Sequence, residues 1–425
     1  MSLVELLNCE RIISNVKPTI LIISTSPSFS PARLAMAMAK VGCNLEAVCL
    51  SRHPLAKTRA VRKVYPYSWW TPLESITNAI ASSKPDLVIP SDDLAALQLH
   101  DLYLQQRHHG KAEESICALI EKSLGAPASF PIVYARTALM GLAQEEGIRV
   151  PKTAVIAGRR DLEEWAACPG FPAVLKANGT SGGDGVRIVR TLEEAERALR
   201  MLEAPPLLAR ALKRALFDQE MAMLCPALLR KRYVVNVQTF VPGREATSAV
   251  ACWKGRILAS LHFEVLLKQD SGGPSTVLRL IDNTHMSTTT EKLVCRLGLS
   301  GLHGFDFILE EQSGTPFLIE INPRATQVGH LRLGAGHDLP AALYAAVSGK
   351  EVQVAPRITE NDTIALFPQE WLRNPASAFI NSAYHDVPWE EPEFLLVCVR
   401  RRPGQTAWYS PQKWARAFSR NRNHC

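Results

Sequence analysis

Short apolar runs separated by stretches of helical periodicity dominate the first hundred residues. TILIIS (19–24) is a β-branched apolar run followed by a Ser/Pro-rich loop. Behind it, ARLAMAMAKVG carries a helical pattern closed by Gly42. LEAVCLS (45–51) and DLVIPSDD (86–93) read as further strands. Strands alternating with helices predict an open parallel sheet, in which ligands gather at the carboxyl ends of the strands. Those ends carry Ser24, Thr25 and Ser26, then Ser91, Asp92 and Asp93. The same residue types cap helices, so both roles stay open.

From about residue 131 the texture changes. YARTALMGLAQEEGIRVPKT (134–153) predicts a helix ended by Gly147 and then a strand. Asp161 with Glu164, and Thr191 with Glu194, stand in capping-box spacing and predict two helix starts. Beyond residue 232, YVVNVQTFVPG, ATSAVACW and RILASLHFEVLL predict successive strands of a mostly antiparallel sheet. A helix is expected over 291–298. HGFDFILEE and PFLIEINPR then predict two strands joined by a turn at Ser313-Gly314. There is no internal repeat and no low-complexity tract.

A length of 425 residues exceeds one small core and predicts two or three domains. Apolar residues make up 47% and charged residues 21%, ordinary for a soluble globular chain. No apolar run is long enough to span a membrane. The opening MSLVELLNCERIISNVKP places Glu5 and Glu10 in its apolar part without a basic leader, unlike a signal peptide. Ten scattered cysteines without a CxxC pair predict reduced thiols and a cytoplasmic location. The net charge of +7 hints at nucleic acid, but Arg400 to Cys425 hold seven basic residues and no acidic one. The remainder is charge-balanced, so no nucleic-acid partner is expected. Within that tail, PQKWARAFSRNR sets Trp414 and Phe418 four apart among basic residues. It fits either a docked terminal helix or weak contact with an acidic surface.

The chemistry concentrates in two stretches. FPAVLKANGTSGGDGVRIV (171–189) places a lone Lys176 at the end of one β-rich run and four glycines before the next. A P-loop or a dinucleotide fingerprint opens a helix, whereas this loop runs into the strand VRIV. What fits is a glycine-rich hairpin over phosphates, or else an ordinary mobile hairpin. Gly182, Gly183 and Gly185 would let backbone N–H groups approach phosphate oxygens. Lys176 would supply a point charge. No HRD-like or DFG-like stretch of a protein kinase accompanies the loop.

The second stretch is GFDFILEEQSGTPFLIEINPRATQVGH. Glu320 and Asn322 alternate onto one strand face, Asp306 can face them from the paired strand, and Ile319 and Ile321 would pack opposite. Three oxygen ligands in this arrangement suit Mg²⁺ held with ATP phosphates, although a solvated polar face has the same pattern. Arg324 continues the alternation and can meet a transferring phosphoryl group, with Pro323 a point where the strand can end.

These two stretches in this order, with a sheet between them, resemble the ATP-grasp superfamily over about residues 19–350. The resemblance implies α/β plus α+β architecture: a Rossmann-like N-terminal domain (1–125), a two-subdomain ATP-grasp fold (126–355, its lid about 150–240) and a C-terminal appendix with a basic tail (356–425). VLKANGTSGGDGV then looks like the phosphate lysine and lid loop. QTFVPGRE looks like the hinge, with Thr239 to Val241 meeting adenine through the backbone and Glu245 the ribose. Gln238 stands where the family often has Glu, and Arg136 where it commonly has a first phosphate-binding lysine. Asp306, Glu320 and Asn322 look like the ligands of two Mg²⁺ or Mn²⁺ ions. Lys268, in LLKQDSGGPSTVLRLIDN, sits where relatives place acceptor-facing residues and is a candidate for a phosphate or intermediate contact.

The implied activity is ADP-forming ligation. A substrate carboxylate attacks the γ-phosphorus of ATP, and the acyl phosphate passes to an amine or thiol. A site built for this chemistry stabilises charge rather than offering a nucleophile, and no G-x-S-x-G elbow or HExxH is present. A bicarbonate-activating carboxylase and a non-catalytic ATP-binding sensor or scaffold are the alternatives. Expected partners are a small-molecule carboxylate and its acceptor, with a second copy of the chain as a homodimer.

Overall fold

The β-branched run TILII forms the centre of a parallel sheet because both of its faces are covered. The computed structural model describes residues 17–399 except 110–113, 179–184, 206–207, 209–211, 213–226, 231, 271 and 352–354. Gly182, Gly183 and the basic tail with Trp414 and Phe418 lie outside these described residues. Strands β1 (Thr19–Ile23), β2 (Asn44–Cys49), β3 (Val61–Pro66) and β4 (Leu87–Pro90) stand in the order β3-β2-β1-β4, all parallel. Strand β3 was not expected, because VRKVYP is polar and none of its residues is buried. Helix α1 (Ser30–Lys40) covers Ile20 and Ile22. Helices α2 (Pro72–Ser83), α3 (Asp93–His109) and α4 (Glu114–Leu124) cover Leu21 and Ile23.

The expected helix near Arg136 is two pieces, α5 (Phe130–Tyr134) and α6 (Arg136–Glu145). It is followed by β5 (Thr153–Ile156), α7 (Arg159–Ala167), β6 (Ala173–Ala177), β7 (Val186–Val189), α8 (Leu192–Glu203) and β8 (Val235–Thr239). These strands form an antiparallel sheet, β5-β8-β6-β7, with α7 and α8 packed on one face. Thr191 caps α8 as its spacing predicted. Asp161 does not start α7. It stands inside the first turn and reaches back to accept from the Ala157 and Gly158 N–H groups.

Strand β8 belongs to this smaller sheet, not to the sheet of the strands that follow it. The chain crosses at residues 240–242 and enters a seven-stranded sheet with β9 (Gly243–Trp253), β10 (Arg256–Lys268), β11 (Ser275–Leu280), β12 (Gly301–Glu310) and β13 (Pro316–Asn322). Apolar alternation runs through both segments, so periodicity cannot show which strands pair. Helix α9 (Thr284–Leu297) starts a full two turns before residue 291, capped by Asn283. Its opening THMSTTT is polar because only one side of the helix is buried against the sheet.

The C-terminal segment completes this architecture. After α10 (Leu339–Ser348), strand β14 (Thr363–Ala365) pairs with β11, and β15 (Tyr384–His385) pairs with β14. The final helix α11 (Pro392–Val399) inserts Phe394 against Phe29 of the N-terminal domain. One continuous core joins β1, β2 and α1 to Ala249, Leu261 and Phe263 on the facing side of the large sheet. Among the described residues, no helix is long and apolar enough to cross a membrane.

Candidate active site

The metal-ligand triad predicted from the sequence comes together, on a strand pair that is not regular. Asp306 pairs directly with Glu320, and Gly304 with Asn322, but the register slips between Asp306 and Phe307. Ile319 is the extra residue, so Leu318 and Ile321, not Ile319 and Ile321, pack into the core behind the site. On the open face Asn322 Nδ2 donates to Asp306 Oδ2 at 2.9 Å. Thr247 of β9, across the sheet from Asp306, donates its hydroxyl to Asp306 Oδ1 at 2.9 Å. Burial and the neighbouring Glu320 raise the Asp306 pKa above the usual carboxylate range. Burial acts on Glu320 in the same direction but is outweighed by Arg136 and Lys176, so its pKa is lowered.

Arg136, at the first position of α6, donates from Nη2 to Glu320 Oε2 at 2.7 Å and from Nη1 to Asn178 Oδ1 at 3.3 Å. Asn236 Nδ2 also donates to Asn178, at 2.7 Å. Lys176 is opposite Asn236 in the β6–β8 pairing, and Gln238 is opposite Val174, so all four share the face of the small sheet that is free of α7 and α8. Lys176 is buried, and that burial, only partly offset by Glu320, lowers its pKa to about 8. Gln238 is buried too and donates its amide to Thr153 Oγ1 at 3.0 Å. Gly185 lies at the exit of the loop, where its carbonyl accepts from the Ala177 N–H.

At the crossing between the sheets, Thr239 N–H donates to the Lys152 carbonyl and Phe240 N–H to the Pro172 carbonyl. Two of the three amides expected at adenine are therefore used within the fold. Lys268 and Glu245, separate candidates in sequence, form an ion pair at 2.9 Å. Arg324 does not continue the alternation of β13. The strand ends at Asn322, and Arg324 N–H turns back to the Asn322 carbonyl at 2.8 Å. Its side chain reaches Asp93 Oδ1 from Nε at 2.8 Å and Asn322 Oδ1 from Nη2 at 3.2 Å.

The donor set fits a hard divalent cation that shares its coordination with phosphate. Two carboxylates and an amide are all oxygen ligands, too few for a cage made by protein alone. Among the described residues no cluster of three His, Cys, Asp or Glu side chains exists. Among the described residues, the buried Nε of Arg136 and Oδ1 of Asn236 have no hydrogen-bond partner, which leaves polar capacity beside the site. Thr247, Asn178 and Asn236 were missed in the sequence, whereas Asp93 was marked there as a residue at the carboxyl end of a strand. Asn178 alone had a signal, two residues beyond Lys176 on the same strand face.

Comparison with known proteins agrees with this geometry. Residues 218–328 match the family model of the ATP-grasp domain. The biotin carboxylase domain of Hydrogenobacter thermophilus 2-oxoglutarate carboxylase, solved as a dimer with MgADP, ADP and bicarbonate, superposes with a TM-score of 0.56 at 14% identity, over 80% of this chain and 71% of that one. An ADP complex of N5-carboxyaminoimidazole ribonucleotide synthetase gives 0.57 at 14%, over 81% of each chain. Biotin carboxylase from Campylobacter jejuni gives 0.56 at 13%, over 81% and 73%. The fold is the ATP-grasp fold, and residues 218–328 match the model of the ATP-grasp domain itself.

Proposed function

We propose that the protein is an ADP-forming ligase that phosphorylates a substrate carboxylate with ATP and passes the acyl group to an amine or thiol. The observation that carries this reading is convergence. Arg136 bonds Glu320, Asn322 bonds Asp306, and Lys176 interacts electrostatically with Glu320 and Asp306, so five charged or metal-seeking side chains gather in one place, as a metal-bound polyphosphate would require. The carboxylate oxygen would form a bond to the γ-phosphorus as the bond to ADP breaks, and the acceptor would then displace phosphate from the acyl carbon. Mg²⁺ held by Asp306, Glu320 and Asn322 would neutralise phosphate charge. Lys176 and Arg136 would hold phosphate oxygens, and Arg324 would offer Nη2, which lies beside Asn322. Glu245, tied to Lys268, is the candidate for the ribose, and the Val241 amide for adenine.

Reduced thiols at Cys43, Cys49, Cys168, Cys252, Cys295 and Cys398 agree with action in the cytoplasm. A homodimer is the assembly this reading carries, in line with the dimeric Hydrogenobacter domain. The test is release of ADP and phosphate from Mg-ATP against pools of carboxylates with and without amines, with Asp306→Asn as the blank. Bicarbonate belongs in the acid panel because the Hydrogenobacter domain was solved with it. A carboxylate-dependent ADP signal lost in the variant supports ligation. AMP and pyrophosphate would overturn the acyl-phosphate step, and binding without turnover would favour a sensor.

A further inference from the structure

The turn between β4 and α3 carries two consecutive aspartates with different duties. Asp92 is the local one. Its Oδ1 accepts from the Ala95 N–H at 2.9 Å, capping α3, and from the Thr25 hydroxyl at 2.7 Å. Its Oδ2 accepts from the Thr25 N–H at 2.7 Å. That network fixes the carboxyl ends of β1 and β4 to each other. Asp93 is thereby spared the cap, and its carboxylate points out of the N-terminal domain to Arg324, 231 residues away, at 2.8 Å. A backbone bond lies beside it. The N–H of Ala325 donates to the carbonyl of Pro90 at 3.0 Å. The segment after β13 is therefore held at two points by a single turn of the N-terminal domain.

From this geometry we infer that Asp93 is the positioning residue for Arg324. A guanidinium is planar, so an acceptor fixed at Nε sets the direction of the two terminal nitrogens. Here Nη2 is directed at Asn322 Oδ1, at 3.2 Å, while Nη1 donates to the Ala325 carbonyl at 3.4 Å. Without Asp93, only the longer bonds of Nη2 to Asn322 at 3.2 Å and of Nη1 to the Ala325 carbonyl at 3.4 Å anchor the guanidinium, and the fraction of molecules with the group in place falls. The Asp93 side chain is 40% exposed and that of Arg324 23%, so solvent reaches the carboxylate end and the pair adds modestly to stability. The pair therefore acts through orientation. The inference rests on the reading of Arg324 as a phosphoryl-facing cation, and it makes the N-terminal domain part of the catalytic apparatus.

Two measurements on the full chain test it. The first needs no turnover. Arginine Nε–H signals are recorded by NMR on ¹⁵N-arginine-labelled protein, with Arg324→Lys assigning the Arg324 signal by its loss. In Asp93→Asn that signal is expected to shift and to exchange faster with water; an unmoved signal overturns the inference. The second is kinetic. In Asp93→Asn, kcat should fall about 100-fold with KM for ATP changed less than about twofold and the melting temperature unchanged, as for a displaced catalytic group. Asp93→Glu, which keeps the carboxylate, should recover at least about tenfold of that loss. A kcat within about twofold of wild type, or a loss matched by a lowered melting temperature, sinks it. Absence of turnover in the wild type would count against ligation, and the Nε–H signal would then decide the positioning role by itself.

Discussion

Arg136 and Glu320 are joined at 2.7 Å across 184 residues. A cation from the start of a helix thus neutralises a candidate metal ligand on the edge strand of the large sheet. The carboxylate stays ionised in a site that burial would otherwise push toward protonation. Removing the arginine has two effects of opposite sign. It takes away a charge for phosphate, and it frees Glu320 for the metal.

Arg136→Met is therefore expected to weaken MgATP binding about tenfold or more while raising the pH below which metal binding is lost, because Glu320 loses its principal counter-charge. Titration calorimetry with MgATP and with Mn²⁺ alone, across pH, separates the two. If the metal profile does not move, the ion pair has no part in setting Glu320.

Lys176 predicts a pH dependence of nucleotide binding. Its folded pKa is about 8, lowered by burial from 10.5. Phosphate favours the ammonium, so binding takes up a proton once the free lysine has lost its own. Affinity for MgATP should stay level below about pH 8 and weaken above it, by up to about tenfold per pH unit. Lys176→Arg should bind with no such slope. For the fold itself the sign is reversed. The unfolded chain binds more protons between about pH 8 and 10.5, so the Lys176 contribution to stability rises with pH across that window.

Asp386 ties three parts of the chain together. Its Oδ2 meets His330 Nε2 at 2.7 Å and Arg33 Nη2 at 3.1 Å, and its Oδ1 accepts from the Phe367 N–H. Although burial opposes ionisation, Arg33 and His330 hold its pKa below the usual range. Asp386→Ala would leave two buried partners uncompensated, and a loss of about 3–5 kcal/mol is expected in denaturant unfolding. Because the folded pKa is depressed, the wild-type contribution is present above the unfolded carboxylate value and disappears as pH falls through the folded one. A variant that unfolds at the wild-type denaturant concentration would refute the role of this carboxylate as a tie.

Gly243 begins β9 immediately after the crossing between the sheets. A Cβ there would fall within contact distance of the Leu309 carbonyl oxygen on β12. Backbone on both sides cannot yield cheaply, so Gly243→Ala should cost about 1–3 kcal/mol and disturb Glu245, two residues on. A melting scan and nucleotide affinity together measure this, and an unchanged pair of values would rule out the clash.

The sequence by itself determined most of the apolar elements and the chemical inventory, but not the polar strand β3 or the polar start of α9. Apolar runs and helical periodicity marked β1, α1, β12 and β13, and Lys176, Asp306, Glu320 and Asn322 were legible because strand alternation places such residues predictably within one element. Partnership was decided only by tertiary structure. Residues 153 and 238 pair while β8 and β9 part company at residue 240, although both segments show the same alternation. The Ile319 bulge, the Arg136–Glu320 pair and the reach of Asp93 to Arg324 arise between elements that are far apart in the chain. Period-two and period-3.6 patterns report which side of an element is buried, not what it is buried against. That is why the candidate ligands of the site could be proposed from the sequence, while the residues that contact them emerged only once the sheets were assembled.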